Sequence, residues 1–186
     1  SARLIDFMFE GYPRKKCPAC NFIHWGEYSI GVGGVVLLGD RSLIIQRAHE
    51  PGRGVWTIPG GFVNDDERIE DAVAREVREE TGITAKPVSV LAVRDRPQDM
   101  PGQRHDIFIV FLLHYIGGKL NPDPVEVMNA GFYSLQECRE LNVASLSFLS
   151  IVKALEYSRQ GINNPGFIRQ QHARLTGKFS ELYILP

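Results

Sequence analysis

Residues 67–81 carry a pattern that few folds accommodate. The segment reads as a helix: Asn64, Asp65 and Asp66 precede it with capping oxygens, and Gly82 follows as a natural C′ residue. At about 100° per residue, Ile69, Ala72 and Val73 fall within roughly 60° of Glu76, with Glu80 inside that arc and Glu79 at its border. The opposite arc holds Glu67, Glu70, Asp71, Ala74, Arg75, Arg78 and Thr81. A helix that only solvates its charges sets them opposite its apolar stripe. Here the inward stripe turns to carboxylate in its last two turns. Like charges at this spacing repel by a few tenths of a kcal/mol per pair, and a carboxylate facing the protein body needs a cation. Two readings follow: a divalent cation site, or an ion-pair network with Arg75 among the partners. Carboxylates without a Cys/His cluster select a hard ion, Mg²⁺ first and Mn²⁺ as its substitute.

The rest of the chain bounds the surroundings of this helix. Its 186 residues, 44% hydrophobic and 23% charged, suit one globular domain with a small appendage. A net charge of −1 without a basic block disfavours nucleic-acid binding. The apolar run at residues 107–113 is too short for a membrane span, which needs roughly 18 residues. Three cysteines do not make a disulfide framework, and Cys138 reads as packing. A reducing compartment is expected. The start at Ser1 without methionine leaves the expectation cytoplasmic, or organellar if a targeting peptide was removed.

Residues 1–28 read as an irregular segment, 29–160 as the folded domain and 161–186 as a tail that drapes over the domain or a partner. Within the domain, residues 29–38 form a strand with Gly33 and Gly34 at a bulge or close approach. A hairpin across Gly39-Asp40 leads to a strand at 42–47. Further strands are expected near Trp56, at 87–94, 105–115 and 131–134, with an amphipathic helix at 145–160. The class is α+β or α/β with a mixed sheet.

Around the helix, Gly61 is followed after five residues by Glu67, and after seven more by Arg75-Glu76-Val77-Arg78-Glu79-Glu80-Thr81-Gly82-Ile83. This fits G-x5-E-x7-R-E-U-x-E-E-x-G-U, with U a bulky aliphatic, at every fixed position. The chain resembles the Nudix hydrolases over about residues 29–160. The resemblance implies an α/β/α sandwich with a mixed central sheet. It implies that Glu76, Glu79 and Glu80 bind the divalent metal with the Gly60 carbonyl, and that Glu67 and Arg75 brace the box between Gly61 and Gly82. The implied reaction is hydrolysis of a diphosphate joining a nucleoside to another group, with a carboxylate taking the proton from water. A box glutamate or Glu126 can do so. Many relatives carry the late acid at the position of Asn129, so Glu126 is alternatively a plain loop charge.

The leaving group is read from softer signals. GRGVWTIPGGFV resembles the ADP-ribose and dinucleotide branch, and CPACNFIHWGEYSIGVGGVVLL resembles the second half of a zinc ribbon joined to the sheet, as in NADH pyrophosphatases. The segment at residues 145–161 resembles the C-terminal helix of plant FAD and ADP-ribose pyrophosphatases. A structural zinc site needs four ligands, and only Cys17 and Cys20 pair closely. They read as a vestigial knuckle, a Zn²⁺ site completed by His24 or a second subunit, or a redox pair. Arg47, Trp56 and Arg96 are candidate substrate contacts, with Arg94 and Arg104 beside them. Trp56 reads first as core, and Phe62 as packing under the box. The expected activity is Mg²⁺-dependent cleavage of ADP-ribose to AMP and ribose 5-phosphate, with FAD or NADH second. The alternatives are a nucleoside triphosphate pyrophosphohydrolase and a non-catalytic nucleotide-sensing module, against which the intact glutamates argue. A homodimer is implied by the resemblance.

Overall fold

Strand β4 (Tyr28–Leu38) organises the molecule because its residues alternate between two cores. The computed structural model describes residues 3–98, 104–162 and 165–167, and the strand backbone at 168–169 and 183–184. Before β4 come β1 (Ile5–Phe9), β2 (Tyr12–Lys16) and β3 (Ile23–His24), and after it β5 (Arg41–Arg47), β6 (Trp56–Thr57) and β7 (Gly60–Phe62). Helix α1 (Ile69–Thr81) follows, then β8 (Ile83–Arg96), β9 (His105–Gly118), β10 (Val127–Ser134), α2 (Leu135–Glu140) and α3 (Ser145–Arg159). A short pair, β11 (Ile168–Arg169) and β12 (Tyr183–Ile184), ends the chain. The expected tail at 161–186 lies largely outside the described residues.

The central sheet runs β10-β5-β4-β9-β8, with β6 on β5 and β7 on β4. The β4–β9 pair is parallel and the others antiparallel, which makes the sheet mixed. The β4–β5 hairpin closes Leu38 on Arg41 across Gly39-Asp40, as the sequence predicts. Side chains alternate between the faces of a strand. Val32 and Val36 of β4, Leu43 of β5, and Phe111 and Leu113 of β9 pack with Ala72, Val73 and Val77 of α1. Val35, Ile44, Val110 and Leu112 point the other way and pack with Cys138 of α2 and Ile151, Ala154 and Leu155 of α3. Three layers result, α1 on one face and α2 with α3 on the other. Trp56 is 7% exposed in the second core, edge-on to Tyr133 at 5.1 Å.

The first 28 residues depart from expectation. They hold a three-stranded antiparallel sheet, β1-β2-β3, rather than an irregular segment. Its first hairpin turns on Glu10 and Gly11, both at positive φ (49° and 83°), which joins Phe9 to Tyr12 through a two-residue loop. Both strands lack a fully buried face, so the alternation that announces a strand is missing.

Ser134 ends β10 and starts α2 through a capping box. Its Oγ accepts from the Glu137 N–H at 3.3 Å, and Glu137 Oε2 accepts the Ser134 N–H at 2.7 Å. Ser134→Ala is expected to cost about 1 kcal/mol and lower Tm by about 2–4 °C, read by thermal unfolding.

Candidate active site

Helix α1 begins at Ile69 with Arg68 as N-cap and no side-chain cap. The expected capping by Asn64, Asp65 and Asp66 is not what forms. The Asn64 N–H instead donates to Glu67 Oε1 at 2.8 Å, and the Glu67 N–H donates to the Asn64 carbonyl at 3.3 Å. The acidic stretch closes a loop onto Glu67 because that glutamate is already engaged by Arg75. At the other end Gly82 takes φ 74°, and its N–H donates to the Arg78 carbonyl at 2.8 Å, the expected C-terminal stop.

Arg75 is the hub of the box. Its Nε and Nη2 grip both oxygens of Glu67 at 3.0 and 2.7 Å, and Nη2 also donates to the Phe62 carbonyl at 3.1 Å. Its Nη1 reaches Glu76 at 2.8 Å and Glu79 at 3.0 Å. The fork fits a carboxylate bidentately, which fixes the loop before α1 against the helix. Arg75 hydrogen bonding holds the Glu67 carboxyl below the usual carboxylate range.

The three helix glutamates are not equivalent. Glu80 is 5% exposed, and its Oε2 accepts the Gly60 N–H at 2.7 Å. Burial, reinforced by the charges of Glu76 and Glu126, pushes its carboxyl up to about 8 against the Gly60 bond, which lowers it. Burial also raises Glu76, while Arg75 opposes the rise. Glu79 stands at the border with its side chain 59% exposed. This ordering matches the helical stripe.

The Gly60-Gly61 pair is dictated by contact. A Cβ on Gly60 would overlap the Val32 carbonyl oxygen, and one on Gly61 would lie 2.5 Å from the Glu76 carboxylate. Only glycine lets β7 lie this close to β4 and to the acids at once. The cleft there has a volume of about 400 Å³. Arg47, Gly60, Gly61, Arg75, Glu76, Glu80 and Glu126 line it, together with His49, Phe62 and Asn64, which were not picked out from the sequence as site residues. The sequence signal for these three was their proximity to the box and to Arg47. The Glu126 carbonyl accepts the Ala48 N–H at 2.9 Å, which holds the late loop beside the end of β5. A bulge between Val127 and Asn129 in the β10–β5 pairing follows directly. Glu126 therefore occupies the cleft, whereas Asn129 pairs with Gln46 in the ladder.

Several candidates lie elsewhere. Trp56 is not among the described residues lining the cleft, because its ring fills the second core. Arg96 faces Asp106 at 3.8 Å on the far end of β8. The zinc reading of Cys17, Cys20 and His24 gains no support: among the described residues no three His, Cys, Asp or Glu side chains converge on one metal position. Cys17 and Cys20 sit in a turn closed by the Cys17 N–H to Phe22 carbonyl bond, while His24 lies on β3 against Lys15 and lines another cleft. The same absence applies to the glutamates as they stand, since Arg75 occupies Glu76 and Glu79. The donor set nonetheless suits a hard divalent ion. Three carboxylates, Glu76, Glu80 and Glu126, share one cleft, and the buried one is poorly compensated.

Comparison with known proteins bears on the family and the fold. The family model described as NUDIX domain matches residues 27–149. An ADP-ribose pyrophosphatase of Methanocaldococcus jannaschii is 37% identical over 113 residues, 61% of this chain and 66% of that protein. An NAD-capped RNA hydrolase NudC of Stutzerimonas stutzeri is 33% identical over 119 residues, 64% of this chain and 41% of that one. The match thus covers less than two thirds of either relative's length. A crystal structure of a NUDIX hydrolase from Nitrosomonas europaea superposes with a TM-score of 0.68 at 24% identity, covering 86% of this chain and 89% of that one, which speaks for the fold.

The raised carboxyl of Glu80 makes stability depend on pH. Its unfolded value is the ordinary 4.5 and its folded value about 8, so the fold holds the extra proton between them. Metal-free protein is therefore expected to lose stability as pH rises through that window, on the order of a few kcal/mol. With chelator present, Glu80→Gln is expected to raise Tm by several degrees at pH 9 and little at pH 4.5, followed by calorimetry.

Proposed function

The chain belongs to the NUDIX family, and from that premise we propose that it hydrolyses the diphosphate of a nucleoside diphosphate linked to a second group, ADP-ribose first. The carrying observation is the buried carboxylate of Glu80, held on the Gly60 N–H beside Glu76 in a cleft that Arg47 and Glu126 also line. A buried acid so weakly compensated is costly to the apoprotein, and a bound cation offsets the cost.

Glu76, Glu79 and Glu80, with the Gly60 carbonyl, are the residues proposed to hold Mg²⁺, Mn²⁺ replacing it. The ion supplies neutralisation of diphosphate charge and acidification of water. Arg47 at the cleft wall offers a fixed cation to phosphate oxygens, its Nε tied to the Pro51 carbonyl at 3.1 Å. Arg75 is committed to Glu67 and keeps the acids in register. Glu126, in the same cleft, is the group proposed to accept the proton as water attacks phosphorus and the second phosphate leaves. ADP-ribose then yields AMP and ribose 5-phosphate.

The M. jannaschii relative, by its name, supports ADP-ribose. A dinucleotide such as NADH, or FAD, is the second reading; the NudC relative, by its name, acts on NAD-capped RNA. A panel of ADP-ribose, NADH, FAD, nucleoside triphosphates and NAD-capped RNA, incubated with Mg²⁺ and resolved by chromatography, separates these. ADP-ribose is expected to give the highest kcat/KM, and chelation to abolish turnover. Absence of hydrolysis across the panel would favour the sensing module. Glu80→Gln is expected to lower kcat by roughly a thousandfold or more while nucleotide binding persists.

A further inference from the structure

Glu126 reaches the cleft from a loop, and a loop residue keeps a fixed place only where its backbone is tied down. Burial does little of that work in the connection from β9 to β10. Pro124, Val125 and Glu126 are exposed, and the first deeply buried side chain after them is Val127. Hydrogen bonds supply the anchors instead. On one side Val127 pairs with Arg47, and the Glu126 carbonyl accepts the Ala48 N–H at 2.9 Å. On the other side the loop reaches back to α1.

The last carbonyls of a helix have no partner inside it and need outside donors. In α1 the Gly82 N–H serves Arg78, and the loop serves the two residues before Gly82. The Asp123 N–H donates to the Glu80 carbonyl at 3.3 Å, and the Asn121 N–H to the Thr81 carbonyl at 2.8 Å. The approach is so close that a Cβ on Gly82 would lie 2.5 Å from the Lys119 carbonyl oxygen. Residue 123 thus touches the backbone of the same glutamate whose carboxylate is buried in the cleft.

Asp123 converts that contact into a place for Glu126. Its Oδ1 accepts the Val125 N–H at 2.8 Å, and its carbonyl accepts the Val127 N–H at 2.9 Å. The first bond is an Asx turn, and the second closes a single helical turn over residues 123–127. Pro124 enters that turn where no N–H donor is needed. Glu126 lies inside it. A carboxylate beside a helix C-terminus meets the negative end of the helix dipole, so the charge of Asp123 works against its position and its acceptor oxygen accounts for it. Asp123 is not among the described residues lining the cleft.

We propose that Asp123 is a positioning residue for hydrolysis: it holds the 123–127 turn on the Glu80 carbonyl and so sets where Glu126 stands relative to Glu80. The role rests on the reading of Glu126 as the group that accepts the proton from water.

The test uses the full chain with Asp123→Ala, Asp123→Asn, Glu126→Gln and the double variant Asp123→Ala/Glu126→Gln, each checked for folding by thermal unfolding. Two quantities are measured: steady-state turnover of ADP-ribose with Mg²⁺, and amide hydrogen exchange at Ala48 by NMR. Asp123→Ala is expected to lower kcat roughly ten- to a hundredfold with KM within about twofold, and to speed Ala48 exchange more than about tenfold. Asp123→Asn keeps the acceptor without the charge and is expected to rescue both. On the Glu126→Gln background Asp123→Ala is expected to change kcat less than about twofold, since both act through one group. Unchanged Ala48 exchange in Asp123→Ala, unchanged kcat, no rescue by asparagine, or an undiminished loss on the Glu126→Gln background each overturns the role while leaving Glu126 as the base. Full turnover by Glu126→Gln, or no turnover by the unsubstituted protein, sinks the reading of Glu126 and the role of Asp123 with it.

Discussion

Glu80 is held where an ionised carboxylate is least welcome, inside the fold with the Gly60 N–H donating to its Oε2. The surrounding features look organised around that placement. Val77 and Thr81 on the same helix bury on either side of it, and Thr81 Oγ1 donates to the Val77 carbonyl at 2.5 Å. Gly60 approaches as bare backbone so that its N–H can reach the carboxylate. Arg75 could have neutralised Glu80 but is turned away, bound to Glu67, Glu76 and Glu79. The buried acid is left for something else, and its raised proton affinity is the free-energy signature of that vacancy in compensation.

The sheet divides the remaining work. β4 contributes valines to both cores, and its glycines set how closely other groups approach. On the α1 face Gly34 admits Val73 and Val77, which seats the helix and so fixes the height of Glu76 and Glu80 above β7. On the opposite face Gly31 and Gly33 admit Phe108. The two faces of β4 therefore differ at its glycines, helix α1 seated on one and the Phe108 ring on the other.

How much of this could be read beforehand follows from where the physics is local. The stripe of α1, its stop at Gly82 and the Gly39-Asp40 hairpin depend on periodicity and turn chemistry, and they appear as expected. The start of α1 did not, because Glu67 is claimed by Arg75 eight residues on, and that pairing overrides local capping by Asn64, Asp65 and Asp66. The β1-β2-β3 sheet left no alternation to read, since neither long strand has a fully buried face, although Glu10-Gly11 was a usable turn signal. Cys17 and Cys20 resemble half of a metal knuckle, while His24 pairs with Lys15 in the β2–β3 ladder. Glu126 and Phe62 share the cleft through tertiary register, a bulge in one case and an edge strand in the other, and no spacing rule in the sequence encodes either.

Anomalous diffraction from a crystal grown with Mn²⁺ addresses the role of the buried acid without reference to any substrate. A peak is expected between Glu80 and Glu76 beside Gly60, with Arg75 still gripping Glu67. A featureless cleft at saturating Mn²⁺, or a peak only at Cys17 and Cys20, would contradict the assignment of Glu80 to a cation.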